Sequence, residues 1–398
     1  MRALREVKWG SLLASGWPAI RMPPMRRTVF LLVSLLLLPG SVLAQSEPTT
    51  ATAPAETATL REKLEALRAE HGVPAMGAAI LKDGVIVDLA VAGTVSADSE
   101  EPVSADDAWH IGSDTKAMTA TLAARLVEQG KIGWDTTVAE ALPDLEMHEA
   151  HRNVTLRQVL AHRGGIPGHA GNLVLFPQLW QIEREMKEAA PRQRRREAAK
   201  RILAAAPLSE AGKAFDYSNY GYIVAGAMLE AANEDDWEAL MQREVFEPLG
   251  ITTAGFGPPP RIKGHVKSGG KWTPQVRDNP PVLGPAGTVH LSLGDWAKFA
   301  AAQMGEVEGY LKPETLAILH EPVVGEGGPD YALGWGVELD GEKVARLSHA
   351  GSNTMWFAII RIEPGRDVAL LTALSAPDER AAGALERLLV EESSRLEE

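Results

Sequence analysis

The sequence predicts an α+β fold: an antiparallel sheet built from the N- and C-terminal segments, flanked by helices, with an inserted, mainly helical domain. Three observations support this prediction. Strand-like patterns occur near both ends of the chain, helical patterns dominate the middle, and an amphipathic helix is predicted at each end. A sheet that joins the two ends, with the middle inserted, is the simplest arrangement of these elements.

The N-terminal part of the sheet is predicted as a helix followed by a hairpin. Residues 57–70 place three leucines on one helical face. Apolar runs at 76–81 and 85–91 then flank Asp83-Gly84. Asp-Gly between two such runs is typical of a tight hairpin turn. The next strong helix is predicted over residues 113–129, and Gly130 ends it.

The C-terminal part supplies the remaining strands and the closing helix. The predicted strands are 332–338, 344–349, 356–362 and 368–374, and the predicted helix is 378–396. We therefore predict an α/β domain made of residues 57–133 and 286–398, and an inserted helical domain made of residues 134–285.

The first 44 residues have the pattern of a secretory signal. Arg26-Arg27 precede an apolar run over 29–38, and small residues precede Gln45. The run is short for a membrane anchor, so we expect cleavage. Met25 is an alternative start of this signal. Residues 45–56 are predicted to be a disordered linker. The mature protein is then expected to be periplasmic or secreted, without a stable membrane anchor.

Composition excludes several classes of function. The chain of 398 residues has a formal net charge of −13, which argues against nucleic-acid binding. It has no cysteine, so disulfides, a thiol nucleophile and cysteine-ligated metals are excluded. His148 and His151 lack the His-Glu-x-x-His spacing of a zinc helix, and we expect no metal or cofactor. The basic run 192–201 is predicted to be a solvated helix face.

Ser113 and Lys116 form the first candidate catalytic pair. They belong to a Ser-x-x-Lys sequence at the start of the helix predicted from residue 113. Residues three apart share one helical face, so the amine can reach the hydroxyl. A serine hydroxyl needs a neighbouring base, and a buried lysine can act as one. A second Ser-x-x-Lys, at 268–271, lies in a Gly/Pro-rich tract where no helix enforces this proximity.

Tyr217 and Asn219 form the second candidate motif. They belong to the only Tyr-x-Asn sequence in the chain, between a loop and an apolar helix. A tyrosine beside a lysine ammonium loses its proton more easily and can act as base and then as acid. Asn219 can orient Lys116 and hydrogen-bond a substrate amide. Either Lys116 or Tyr217 can therefore be the base.

His349, Gly351 and Ser352 form the third candidate motif. His-x-Gly also occurs at other positions of the chain: His110, His162 and His169. Only His349 follows Tyr217 and belongs to a C-terminal strand. Gly351 lets a substrate lie against the strand edge. The backbone N–H of Ser352 is expected to hold an oxyanion together with that of Ser113.

In this order, the three motifs resemble those of the serine β-lactamase and penicillin-binding-protein superfamily. The most similar branch is the class C β-lactamase-like group, with D-alanyl-D-alanine carboxypeptidases, D-aminopeptidases and related esterases. The resemblance spans roughly residues 57–395 and includes Gly164-Gly165-Ile166-Pro167 and Pro285-Ala286-Gly287-Thr288. It implies a β-lactamase/transpeptidase-like fold and an acyl-enzyme on Ser113, with Lys116 and Tyr217 moving protons.

The third motif departs from the family pattern. True β-lactamases usually carry Lys-Thr-Gly, whereas this chain has His349, which is mostly neutral above its ordinary pKa of about 6.5. Less charge is then available for a substrate carboxylate. The expected partner is a small-molecule or peptide acyl substrate: an ester, an amide or a β-lactam. The alternative is a non-catalytic relative that binds a cell-wall peptide or another partner.

Overall fold

The two ends of the chain meet in one sheet, as predicted. The computed structural model describes residues 58–168 and 175–397. Its helices and strands are, in chain order, α1 (Leu60–His71), β1 (Ala75–Lys82), β2 (Val85–Gly93), β3 (Trp109–His110), α2 (Thr115–Glu128), α3 (Val138–Ala141), α4 (Leu156–Leu160), α5 (Leu175–Glu185), α6 (Pro191–Leu203), α7 (Asn219–Asn233), α8 (Trp237–Met241), β4 (Gly255–Phe256), β5 (Gly264–Ser268), β6 (Lys271–Gln275), α9 (Gly284–Gly287), β7 (Val289–Leu291), α10 (Leu293–Met304), α11 (Pro313–His320), β8 (Gly336–Asp340), β9 (Lys343–Ser352), β10 (Phe357–Glu363), β11 (Val368–Leu374) and α12 (Glu379–Ser394).

The central sheet has six antiparallel strands in the order β2-β1-β11-β10-β9-β8. Its β1–β11 pair joins the N-terminal hairpin to the C-terminal strands, with Met76 opposite Leu374. The turn between β1 and β2 has left-handed backbone at Asp83 (φ 51°) and Gly84 (φ 72°), as a tight hairpin requires. The α+β fold with a sheet built from both ends is therefore confirmed.

The sheet has an apolar core on each face. Ile80 and Leu370 pack in one core with helices α1 and α12, whereas their neighbours Leu81 and Leu371 pack in the other core with α2 and α10. This alternation follows from the two-residue period of a strand. Burying each of these side chains stabilises the fold by about 1.5–3 kcal/mol. The larger core carries α2, and therefore Ser113 and Lys116, against the sheet.

The middle of the chain is helical, but short strands that the sequence pattern did not predict occur within it and on either side of it. A three-stranded sheet pairs in the order β3-β7-β4, and β5 pairs with β6 in a separate hairpin. The second Ser-x-x-Lys sequence is the turn of that hairpin, with left-handed backbone at Gly269 (φ 56°) and Gly270 (φ 79°). No helix presents Ser268 to Lys271, which agrees with the prediction.

The prediction of a solvated face for residues 192–201 is wrong at Arg195. This side chain is fully buried between α6 and α7, where its guanidinium pairs with Glu230. It also pairs with Glu238 at 2.6 Å. A basic run gives no local sign that one of its arginines has buried carboxylate partners more than thirty residues away.

The described residues from Thr59 onward form one compact unit. The boundaries that we predict between an α/β domain and an inserted helical domain stay predictions. The predicted signal (1–44) and linker (45–56) lie outside the described residues. Among the residues that the structure describes, no helix is long and apolar enough to cross a membrane.

Candidate active site

Ser113 lies at the junction between a short strand and a helix. Strand β3 ends at His110, Gly112 turns the chain with φ +52°, and a single 3₁₀ turn over Gly112–Asp114 leads into α2. Lys116 lies in the first turn of α2, and its Nζ is 3.0 Å from Ser113 Oγ. The predicted proximity of this pair is therefore present in the structure.

The amine of Lys116 has two further partners, and both are uncharged oxygens. Nζ lies 2.7 Å from Asn219 Oδ1 and 2.7 Å from the carbonyl oxygen of Ala286. Both oxygens can only accept hydrogen bonds. A neutral amine has two N–H groups and one lone pair, so these contacts use both N–H groups. The lone pair is then directed at the Ser113 hydroxyl.

The surroundings of Lys116 favour the neutral amine. The side chain is fully buried, and this burial lowers its pKa well below the ordinary value, against a smaller opposite effect of Asp114. Burial disfavours the charged form of a base because the protein interior solvates charge poorly. Lys116 can therefore accept the proton of Ser113 at a pH where an exposed lysine could not.

Tyr217 lies above the same pair. Its ring centroid is 4.8 Å from Lys116 Nζ, and its hydroxyl interacts with the Ser113 side chain. Desolvation raises the pKa of Tyr217, and the interaction with Ser113 opposes this only in part. The sequence-based expectation that a neighbouring ammonium would lower this pKa does not hold, because Lys116 itself favours its neutral form. Tyr217 remains a protonated hydroxyl.

His162 packs behind Tyr217 and fixes the segment that carries Tyr217 and Asn219. The two rings have centroids 4.3 Å apart, and His162 Nδ1 accepts a hydrogen bond from the Ser218 backbone N–H at 3.0 Å. Ser218 then caps α7 by accepting from the N–H of Gly221. These contacts place Asn219 at the first position of α7, beside Lys116.

The structure places His349 in a buried layer next to Asp114, Tyr217 and Tyr331 rather than at the surface of a cavity. Its Nδ1 lies 3.1 Å from Asp114 Oδ1, and its Nε2 lies 3.1 Å from the hydroxyl of Tyr331. Burial, with a further contribution from Lys116, lowers the pKa of His349 to about 3. The imidazole is therefore neutral at neutral pH and offers no charge to a substrate carboxylate.

Asp114 belongs to this buried layer and was missed in the sequence. Burial raises the pKa of Asp114 well above the usual value, against a smaller opposite effect of Lys116, and so favours the uncharged carboxyl group. The layer continues from His349 to Tyr331, and the hydroxyl of Tyr331 interacts with that of Tyr222. The Tyr222 hydroxyl in turn donates a hydrogen bond to the Leu160 carbonyl oxygen at 2.7 Å. An uncharged Asp114 does not hold Lys116 in its protonated form.

Gly351 and Ser352 bring strand β9 against the backbone of the turn Gly112–Asp114, which carries Ser113. A Cβ atom on Gly351 would lie 1.8 Å from the Ile111 carbonyl oxygen and 2.8 Å from the Ser113 nitrogen. A Cβ atom on Gly112 would lie 2.5 Å from the Ser352 nitrogen. Only glycine fits at both positions. The backbones that carry the two expected oxyanion donors are thus in direct contact.

A cavity of about 290 Å³ opens onto Ser113. Of the predicted site residues, Ser113, Asn219 and Ser352 line it, whereas Lys116, Tyr217, His349 and Gly351 do not. The lining residues that sequence reasoning missed include Phe176, Tyr220, Asn279, Leu283, Asn353 and Thr354. Among the described residues, the lining holds no charged side chain. The described residues also contain no group of three or more His, Cys, Asp or Glu side chains that could hold a metal ion.

Known proteins resemble this chain, some over most of its length and some over a part of it. The Beta-lactamase family model matches residues 60–392. Penicillin-binding protein 4 of Amycolatopsis lactamdurans is 26% identical over 344 residues, which cover 80% of this chain and 86% of that protein. The esterase/beta-lactamase LipL of Mycobacterium tuberculosis is 30% identical over 160 residues, which cover 40% of this chain and 33% of LipL.

A solved structure shares the fold at lower identity. The octameric penicillin-binding protein homologue from Pyrococcus abyssi superimposes with a TM-score of 0.67 at 22% identity, covering 83% of this chain and 77% of that one. This likeness identifies the β-lactamase/transpeptidase-like fold, in agreement with the sequence motifs. The family match over 60–392, which contains Ser113, Lys116, Tyr217 and His349, shows that the chain belongs to the Beta-lactamase family.

Proposed function

We propose that this chain is an exported serine hydrolase that forms an acyl-enzyme on Ser113. The observation that carries the proposal is the arrangement around Lys116, whose two uncharged acceptors, Asn219 and Ala286, leave its lone pair for the Ser113 hydroxyl. Family members with serine-hydrolase names, such as the esterase/beta-lactamase LipL, add support.

The proposed reaction begins with attack of Ser113 Oγ on the substrate carbonyl carbon while Lys116 takes the hydroxyl proton. The backbone N–H groups of Ser113 and Ser352 hold the oxygen of the tetrahedral intermediate. The protonated hydroxyl of Tyr217 then donates its proton to the leaving group and is reprotonated from Lys116. Water hydrolyses the acyl-enzyme by the same steps in reverse.

The uncharged wall of the cavity favours an ester or amide whose acyl part carries no free carboxylate. No arginine, lysine or histidine of the described residues lines the cavity, and His349 is neutral and buried behind it. A substrate carboxylate would lose water there without gaining a cation. Carboxypeptidase and β-lactamase activities need such a carboxylate partner, so we rank them below esterase and neutral amidase activity.

The alternative, a non-catalytic relative that binds a peptide or a partner, is less well supported. A binding protein does not need a nucleophile, a neutral amine and a hydroxyl donor in mutual contact. Here Ser113, Lys116 and Tyr217 contact one another, and Ser113 faces a cavity.

The test is acylation of the purified mature protein, monitored by intact mass. A short-chain p-nitrophenyl ester, a fluorescent penicillin and a D-Ala-D-Ala peptide are compared. We expect an adduct and turnover with the ester, and their loss in Ser113→Ala. Ser268→Ala, in the exposed second Ser-x-x-Lys sequence, is the matched control and should keep both. Equal turnover by Ser113→Ala and wild type would contradict the proposal.

Export forms a separate part of the proposal and rests on the signal pattern in the first 44 residues. The full-length chain, expressed in a Gram-negative host, should be recovered from the periplasm with an N-terminus at Gln45. Recovery of the uncleaved protein from the cytoplasm, or a mature N-terminus far from Gln45, would contradict it. The outcome leaves the assignment of Ser113 unaffected.

A further inference from the structure

His110 is buried just before the turn Gly112–Asp114, which carries Ser113, and its hydrogen bonds fix its tautomer. The backbone N–H of Gly112 donates to His110 Nδ1 at 3.0 Å, so Nδ1 carries no proton. The proton of the ring is therefore on Nε2, which lies 2.8 Å from Asp278 Oδ2. The two side chains are 0% and 4% exposed. The imidazole also stacks on Trp356, with centroids 5.2 Å apart.

The other oxygen of Asp278 contacts two residues of the cavity wall. Oδ1 accepts from Asn353 Nδ2 at 2.6 Å and from the Asn279 backbone N–H at 2.7 Å. Asn353 and Asn279 both line the cavity. Asn353 in turn accepts from the backbone N–H of Trp356 at 3.3 Å, which fixes the turn that follows β9. One buried carboxylate thus joins two segments of the cavity wall.

The ends of this network lie next to the two proposed oxyanion donors. Gly112 precedes Ser113, and Asn353 follows Ser352. We infer that His110 and Asp278 are positioning residues: together with Asn353 they form a bracket that sets the spacing between the backbone N–H groups of Ser113 and Ser352. The inference rests on the proposed function, because it concerns the geometry of the oxyanion site of that reaction.

The bracket contacts the backbone at Gly112, a residue that has no side chain to fix its position. Gly112 has left-handed backbone and lies against β9 without a side chain of its own. Oxyanion stabilisation depends on donors that are fixed before the reaction begins. A shift of about 1 Å in such a group reduces the rate by roughly 10²-fold. His110 contacts the backbone N–H next to one donor, and Asp278 contacts the side chain of Asn353, the residue next to the other donor. Neither His110 nor Asp278 lines the cavity at Ser113.

Two substitutions each remove one hydrogen bond of the bracket and introduce a side chain of similar size. Asp278→Asn leaves a single accepting oxygen, so it cannot serve both His110 and Asn353. His110→Gln keeps a donor for Asp278 but removes the acceptor of the Gly112 N–H. With the p-nitrophenyl ester, each is expected to lower kcat by roughly 10–100-fold and to change KM by less than about twofold.

The matched control is His151→Asn, in another part of the chain. His151 is also buried, and its Nε2 donates to the Ala205 carbonyl oxygen at 3.0 Å. Its substitution should lower the melting temperature without lowering kcat. A purely structural role of His110 and Asp278 predicts this same pattern for Asp278→Asn and His110→Gln.

A reversed pair provides a rescue that depends on the hydrogen bond itself. The double variant Asp278→Asn/Asn353→Asp exchanges donor and acceptor across the 2.6 Å contact and should recover at least part of the lost kcat. If Asp278→Asn or His110→Gln gives too little folded protein, Asn353→Ala removes the hydrogen bond between Asn353 and Asp278 from the cavity side. It should give the same loss of kcat at nearly constant KM.

The inference is overturned if folded Asp278→Asn, His110→Gln and Asn353→Ala all keep the kcat of the wild type. In that case Ser113→Ala, measured in the same assay, still abolishes turnover, and the proposed function stands without the bracket. If instead Ser113→Ala keeps turnover, the proposed function fails, whatever the bracket variants do.

Discussion

Asn219 Oδ1 lies 2.7 Å from Lys116 Nζ, although the two residues are 103 positions apart in the chain. An amide oxygen orients the amine but, unlike a carboxylate, carries no charge that would stabilise its protonated form. Burial also raises the pKa of Asp114 well above its usual value, which favours the uncharged form of that carboxyl group. The site therefore combines a fixed amine with surroundings that favour its neutral state, as a base for Ser113 requires.

A charged partner at position 219 should weaken this base. In Asn219→Asp, a carboxylate beside Lys116 raises the pKa of the amine, and the acid limb of the kcat/KM profile should move to higher pH by about 1–3 units. Asn219→Ala removes the same oxygen without adding charge and should not move the limb upward. A limb that stays in place in Asn219→Asp would count against Lys116 as the base.

The role of Tyr217 as proton donor predicts a dependence on the leaving group. Tyr217→Phe should lower kcat/KM, which reports the acylation step, by roughly 10²–10⁴-fold for an alkyl ester or an amide, whose leaving groups need a proton. The loss should be much smaller for a p-nitrophenyl ester, because p-nitrophenolate leaves without protonation. Steady-state assays of the two ester types decide this, and equal losses would exclude the donor role.

Gly112 should tolerate no side chain, for two separable reasons. Its φ of +52° strains any other residue, and a Cβ atom would lie 2.5 Å from the Ser352 nitrogen. Gly269 has a similar φ of +56° but open space around it, so Gly269→Ala measures the strain alone. We expect Gly269→Ala to lower the free energy of unfolding, measured by chemical denaturation, by about 1–3 kcal/mol. Gly112→Ala should lower it by more. Equal losses of unfolding free energy in Gly112→Ala and Gly269→Ala would mean that β9 can move away from a Cβ atom at position 112 without destabilising the fold.

Replacing only one partner of the buried ion pair between Arg195 and Glu230 should strongly destabilise the fold. Arg195→Met leaves a buried carboxylate without its partner and should lower the free energy of unfolding by about 3–5 kcal/mol. Arg195→Met/Glu230→Leu should recover most of this loss. Arg201→Met, which breaks a more exposed pair with Glu197, is the control and should cost about 0–1 kcal/mol. A double variant as unstable as the single one would show that the charge is not the cause.

The fold and the order of the motifs could be predicted from local patterns. The hairpin at Asp83-Gly84, the strand β11 and the terminal helices each have their signal within a few residues. The proximity of Ser113 and Lys116 follows from helical spacing alone. The strands β4, β5 and β6 are short and lie in a Gly/Pro-rich tract, where neither a strand nor a helix period can develop.

The electrostatic state of the site could not be predicted, because it depends on burial by distant segments. The sequence places Asp114 beside Ser113 but cannot indicate that this carboxyl group is enclosed. The same holds for His349, whose partner Tyr331 lies in a loop without a distinctive pattern. His110 carried the same His-x-Gly signal as His349, and only the structure separates their surroundings.

The pH dependence of Ser113 acylation tests the central claim most directly, namely that the neutral amine of Lys116 takes the proton of Ser113. Below its pKa the amine is protonated and cannot accept; above it the amine is neutral. Because burial lowers this pKa, the acylation rate, followed by rapid quenching and intact mass, should reach its plateau well below pH 10.5, the ordinary lysine value. A rate that keeps rising to that value, or a Lys116→Met variant that acylates at the wild-type rate, would contradict the account.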